Sequence, residues 1–336
     1  MSVLPDTSIA RNDSTSSIGI RTILLRWSRP LALLVLVLLP LAASDFVTFQ
    51  LTMLLVYAVA LIALNVLTGF TGQFSLGQNA FFGIGGYSAV IVVEHFHLSY
   101  LLGIPVAGVI AAIAGILFAF PALRLKGVYL ALATFALGTT IPQLLKLDYI
   151  EQWTGGVQGM MIEKPMTPLG LPLSQDAYLY YLTLTIALGI YILSVNLLHS
   201  KTGRAMLAIR ENETAAAAMG VDVAYYKTIA FGLSAAFTGV SGALGAIVIQ
   251  FVSPDAYTIQ LAVAIFLGIV IGGVGWLPGT IVGAAFIVFV PNVAESISKG
   301  LSGAVFGVLI LLVIFVFPRG AQQVCDRLLG VEHKKD

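Results

Sequence analysis

Charge is the first scarcity. The 336 residues hold only 16 acidic and 17 basic side chains, 10% of the chain, where a soluble globular domain carries about 25%. Cysteine is nearly absent: the single Cys325 has no partner, which excludes a disulfide framework or a cysteine metal site within the chain. The sequence has no Gly-Lys-Ser/Thr loop to cradle a phosphate and no His-Glu-x-x-His. Its four histidines, His95, His97, His199 and His333, fall in loops or tails, and the first two read as solvated residues of one loop. Neither a catalytic centre, a metal nor a cofactor is expected. The net charge of +1 carries no argument for nucleic acid, and none is expected as a partner.

What fills the chain instead is apolar. Hydrophobic residues make up 58% of it, with 34 glycines and a mean hydropathy of +0.97. A helix needs about 20 apolar residues to cross a bilayer, and by that measure the sequence predicts an all-α integral membrane protein of about ten transmembrane helices. The expected spans are 27–43, 50–68, 74–93, 100–120, 127–145, 177–198, 228–250, 257–274, 279–294 and 301–317. The first has a basic start, a short apolar run and small residues after it, so it also fits a signal peptide. Residues 1–25 read as a disordered Ser/Thr-rich tail, 26–320 as one membrane domain and 321–336 as a second tail.

Basic residues set the orientation, because cytoplasmic loops carry an excess of them. With both termini inside, 14 of the 17 fall on the cytoplasmic side, and only Lys146, Lys164 and Lys299 fall outside. The N-terminus and C-terminus are therefore expected to be cytoplasmic. No Asp, Glu, Lys, Arg or His falls in the middle of an expected span, whereas ion-coupled carriers place ionisable groups there to hold and release charge. An ion-coupled carrier and an intramembrane enzyme both lose support, and any driving force must come from another polypeptide.

One polar stretch interrupts the apolar pattern on the inner side, "SKTGRAMLAIRENETAAAAMG" at 200–220. Met206 and Ile209 form a short apolar stripe, with Arg204 and Arg210 near its ends. Asn212 is placed to cap a second helix, with Glu213 in its first turn near the positive end of the dipole. Ala215 to Ala218 propagate that helix without bulk, and Gly220 sits where a left-handed residue would end it. On these residues alone the stretch is either a docking helix or a helical linker between two spans.

A second unusual stretch, "LTGFTGQFSLGQNAFFGIGG" at 67–86, sets Gly69, Gly72, Gly77 and three further glycines among Thr71, Gln73, Ser75, Gln78 and Asn79. Polar amides and broken helix at membrane depth are tolerated only beside protein or a water-filled cavity. Gly69, Thr71, Gly72, Gln73, Ser75, Gln78 and Asn79 are therefore candidates for lining a substrate path. Close helix packing is the competing account, above all for the glycines.

The stretch 203–246, "GRAMLAIRENETAAAAMGVDVAYYKTIAFGLSAAFTGVSGALGA", resembles the coupling segment of ABC-importer permeases for branched-chain amino acids. Four more stretches agree, in the family's order: "LNVLTGFTGQFSLGQNAFFGIGGYSA" at 64–89, "LKGVYLALATFALG" at 125–138, "WTGGVQGM" at 153–160 and "GGVGWLPGTIVGAAF" at 272–286. The resemblance implies a passive, non-catalytic permease subunit in a bacterial inner membrane. It further implies a heterodimer with a second homologous permease, two ATP-binding subunits at the cytoplasmic face and a periplasmic substrate-binding protein. Length and the long outer loop 146–177 are similar to the larger of the two permeases. Glu213, Ala215, Ala216 and Gly220 match the family element that docks into the ATPase, and Arg204 and Arg210 flank it. Trp153, Thr154, Gly155 and Gly156 match a family pattern in the outer loop, which implies docking of the delivery protein. Permeases for urea and short-chain amides share these motifs, so the resemblance leaves them open as an alternative substrate class.

Overall fold

The computed structural model describes residues 36–40, 43–125, 127–165, 174–297, 307, 308, 315 and 320–323. The tail expected at 1–25, all but 321–323 of the tail expected at 321–336, and most of the expected spans 27–43 and 301–317 lie outside those residues. Among the described residues the chain is built from helices, joined by one two-residue β-ribbon.

The helix α1 (Asp45–Leu64) continues without a break into a π-helical turn, Asn65–Gly69. The helices α2 (Gln78–Glu94), α3 (Tyr100–Ala122) and α4 (Val128–Leu144) follow. Four-residue α5 (Glu151–Thr154) precedes α6 (Gln175–His199). The polar stretch forms α7 (Lys201–Glu211) and α8 (Glu213–Ala218). Last come α9 (Val223–Ile249), α10 (Ile259–Gly272) and α11 (Gly279–Ile297). Among the described residues five helical segments are long and apolar enough to cross a bilayer: 45–69, 100–122, 175–199, 223–249 and 254–272. A sixth crossing results if α4 and the helical turns at 148–154, bent by 64° to each other, are one broken span.

Two expected spans have different shapes from those read in the sequence. Residues 74–93 do not form one helix: 72–77 are irregular, and α2 starts only at Gln78. The expected span 127–145 is a 17-residue helix that then turns sharply. Glycine-rich and Pro-containing runs satisfy a hydropathy count as well as a straight helix does, because the count carries no backbone geometry.

The helix α1 is the axis of the bundle, packed against α2, α6, α9, α10 and α11. It is enclosed along most of its length, while the equally apolar α3 is largely exposed. α3 buries a narrow stripe, Gly103, Ala107, Ala111, Gly115 and Ala119, each four residues from the next, with Gly103 against Ala89 of α2 and the stripe beyond it against α9. Residues four apart share a helix face, and small ones let two backbones approach, the usual seam between helices in lipid.

Candidate functional site

The polar stretch folds as two helices set at an angle by Asn212, whose extended backbone (φ −156°, ψ 105°) stops α7. Ser200 caps α7 by accepting from the Gly203 amide, and Asn212 Oδ1 accepts from the Ala215 amide at 3.0 Å to cap α8. The far end closes in two backbone bonds, Val221 N–H to the Ala216 carbonyl and Gly220 N–H to the Ala217 carbonyl, each 3.0 Å. This is a Schellman termination, which requires a left-handed residue, and Gly220 supplies it at φ +84°. Ala216 is buried, while Thr214, Ala215, Ala217, Ala218 and Met219 are exposed. The segment offers a small, smooth surface with a rigidly defined end.

The charged residues of the stretch divide by direction. Arg204 donates to the His199 carbonyl at 3.0 Å and stays at the surface. Arg210 Nη1 donates to the carbonyl of Gly69, the last residue of the π-helical turn. The Glu213 carboxylate pairs with Lys227 Nζ of α9 at 2.9 Å. The sequence placed Glu213 in the first turn of the second helix; in the fold that carboxylate also ties the helix to α9.

Arg210, Glu213 and Lys227 share the wall of one cavity of about 210 Å³ with Thr71, Gly72 and Gln73. Two stretches more than a hundred residues apart, singled out for different reasons, thus meet at one end of the bundle. Gln73 Nε2 donates to Thr71 Oγ1 at 3.1 Å and to the Lys227 carbonyl at 3.4 Å. Thr71 Oγ1 in turn donates to the Leu67 carbonyl.

The irregular residues 72–77 are held in place by bonds to their neighbours. The Gln73 amide reaches the Leu67 carbonyl, the Gln73 carbonyl accepts from Thr68 Oγ1 at 2.9 Å, and the Leu76 amide donates to Thr134 Oγ1 at 2.9 Å. Buried Ser75 accepts from the Gly77 amide. Gln78 bridges to α9, donating to Ser234 Oγ at 3.2 Å and accepting from Thr238 Oγ1 at 2.6 Å. Asn79 Nδ2 donates to the carbonyls of Gly138 (2.7 Å) and Tyr257 (2.9 Å), while its Oδ1 is buried without a partner. In this chain Gln78 and Asn79 tie helices together, while Gly72 and the neighbouring Phe74 are open to the surface.

The opposite end carries the third candidate set. Trp153 stacks on His95 (ring centroids 4.8 Å apart) and on Phe96 (6.2 Å), and stays 40% exposed. His95 also places Nε2 2.8 Å from the Gln152 carbonyl, so it is anchored rather than merely solvated. Thr154 is buried and donates to the carbonyls of Leu145 and Ile150. Gly155 and Gly156 turn the chain with φ of +70° and +55°. The ribbon β1 (Met160–Met161) then pairs antiparallel with β2 (Phe251–Val252) and fastens the loop to the end of α9. Lys146 pairs with Asp255 at 2.6 Å beside it. Pro165 is buried in non-helical chain; Pro168 and Pro172 lie outside the described residues.

Sequence reasoning missed Lys227, Asn65 and the ribbon. Asn65 had a visible signal, an amide inside the apolar run "LIALNVLTGF". Lys227 had only its place in the inner count, and two-residue strands leave no periodicity to read.

The sequence profile described as branched-chain amino acid transport system / permease component matches residues 46–314. The chain belongs to that family. It is 31% identical over 289 residues to the high-affinity branched-chain amino acid transport system permease protein LivM of Escherichia coli (strain K12), covering 79% of this chain and 67% of that protein. The LivM protein of Salmonella typhimurium (strain LT2) is 30% identical over the same shares. A probable branched-chain amino acid transport permease protein LivH of Methanocaldococcus jannaschii is 24% identical over 72% of this chain and 79% of its own length. The matched region takes in the cavity, the capped segment and the Trp153 loop. As a family permease with five helices of spanning length and apolarity among its described residues, the chain is a multi-pass membrane protein.

Proposed function

We propose that this chain is the passive permease subunit of an ABC importer that moves branched-chain amino acids into the cytoplasm, driven by ATP hydrolysis on separate subunits. The observation that carries this reading is the capped, exposed helix α8, closed at Gly220, at the end of a bundle whose long helices, among the described residues, hold no Asp, Glu, Lys, Arg or His in mid-span. Force has to enter such a chain from outside, and α8 is a surface built to receive it. Ala215, Ala217 and Ala218 permit close approach, the termination at Gly220 fixes the shape, and Arg204 offers a surface cation on α7. Family membership and the relatives named LivM support the substrate class, and likeness to a LivH protein supports pairing with a second, homologous permease.

In this reading ten spans cross a bacterial inner membrane with both termini inside, as the basic residues ask. The cavity and segment 200–222 then face the cytoplasm, and Trp153, Thr154, Gly155 and Gly156 face the periplasmic binding protein. Of these, Trp153 supplies contact surface while Thr154 and the glycines hold the loop's shape. Thr71, Gly72, Gln73 and Ser75 lie beside the path at its inner mouth; Gln78 and Asn79 border it by fixing α2 against α9 and α4.

The test is purification from the native membrane with its associated proteins, followed by uptake in vesicles. The reading expects a second permease and an ATPase to accompany the chain, and leucine uptake competed by isoleucine and valine. Competition by urea or acetamide instead would move the substrate to the amide class; absence of an ATPase would overturn the reading.

A further inference from the structure

At the cavity end three elements distant in sequence meet at a single guanidinium. The π-helical turn at the end of α1 closes with Phe70 N–H bonding the Asn65 carbonyl. The next free amide that could serve the Gly69 carbonyl, that of Gln73, is spent on Leu67. The Gly69 carbonyl is thus an orphan acceptor at the negative end of a long buried helix, and Arg210 of α7 supplies the donor and the charge. Asn65, one turn back, reaches the turn 273–278 between α10 and α11: its Oδ1 accepts from the Gly275 amide at 2.8 Å, and its Nδ2 donates to the Trp276 carbonyl at 3.2 Å. Gly275 presses against the same guanidinium. A Cβ there would stand 2.9 Å from Arg210 Nη1, and its φ of +88° favours glycine independently.

We infer that Arg210 is a positioning residue, an inward strut that carries displacement of segment 201–220 into α1 and the α10–α11 turn. This rests on the reading of that segment as the place where force enters. It assigns Arg210 a different part from Arg204, which reaches only the end of α6 at His199. A charge-assisted bond to a buried helix end is short-ranged and directional. Movement of α7 therefore either drags Gly69 and the Gly275 turn with it or breaks the bond. The π-helical turn suits this use, since such turns interrupt the regular ladder of a helix and leave it easier to adjust there.

The experiment compares wild type, Arg210→Ala, Arg210→Lys and Arg204→Ala as full complexes in lipid discs, by hydrogen exchange and by substrate imported per ATP hydrolysed. The strut predicts that Arg210→Ala speeds amide exchange by about tenfold at both 69–73 and 273–277, the scale of one lost charge-assisted hydrogen bond. Exchange in α3 stays as it was. Import per ATP falls by a similar factor while the ATPase still co-purifies; Arg210→Lys recovers part of both, and Arg204→Ala changes neither exchange segment. Unchanged exchange at either segment, or loss of ATPase binding with import per ATP intact, overturns it. If the wild-type complex shows no ATP-coupled import, the proposed function fails, and the exchange result alone still decides whether Arg210 ties these elements. Should Arg210→Ala fail to fold, Arg210→Gln, which keeps a donor without the charge, provides the same comparison.

Discussion

The two stretches that stand out in the sequence, 200–220 and 67–86, came out of the fold very differently. In the first, local chemistry dictated nearly everything: Ser200 and Asn212 cap, Glu213 opens the second helix, Gly220 ends it. In the second, the same density of polar and small residues yields a π-helical turn, an irregular crossing and a new helix start, each fixed by partners from α4, α9 and the turn at 257. Capping is decided within four residues of the chain. Where a buried amide or glycine ends up is decided by helices fifty to two hundred residues away.

That difference makes sharp expectations. The largest effect belongs to the second stretch: Gly85 lies directly against the backbone of Gly239, and a side chain there would overlap it. Gly85→Val should separate α2 from α9 at a cost of about 3 kcal/mol or more, seen as loss of monodisperse protein on gel filtration. A folded Gly85→Val variant of normal thermal stability would mean that α2 and α9 are not packed this way.

Next is Gln78→Leu, which strands the hydroxyls of Ser234 and Thr238. The expected cost is about 1–2 kcal/mol, read as a lowered melting temperature with the Michaelis constant for uptake unchanged. A changed Michaelis constant at normal stability would instead give Gln78 contact with substrate. Gly220→Val should act only locally. Its φ of +84° costs an L-residue about 1–2 kcal/mol, while nothing stands within 4 Å of the added Cβ. Binding-protein stimulation of the ATPase should fall severalfold with the bundle's melting temperature unmoved, and Gly220→Asn should be milder. Equal losses of melting temperature and stimulation would erase the contrast between the two stretches. The smallest effect is that of Glu213→Ala. It removes a partly exposed pair with Lys227, worth roughly 0–1 kcal/mol, and stimulation should drop less than twofold.

Much of this was legible from residue order. The membrane class followed from charge scarcity, the long helices from apolar runs, and the capped segment from Asn212 and Gly220. The breaks were not. Hydropathy sees 74–93 as one run because phenylalanine, isoleucine and valine keep its average high, yet the backbone at 72–77 is held open by Thr68 and Thr134. Nor does hydropathy tell enclosed α1 from exposed α3, because lipid and protein interior are alike apolar; the stripe of small residues at four-residue spacing in α3 was the readable sign. The meeting of Arg210 with Gly69 and Gly275 was out of reach, since no local pattern links residues 69, 210 and 275.

The central claim, that energy reaches this chain from another subunit, is tested most directly by leucine uptake into vesicles that hold either the chain alone or the purified complex. The comparison sets an imposed proton or sodium gradient against ATP on the side of segment 200–222, with loaded binding protein on the other side. The account predicts uptake only by the complex, only with ATP, and unaffected when the gradient is collapsed. Gradient-driven uptake by the chain alone would contradict it.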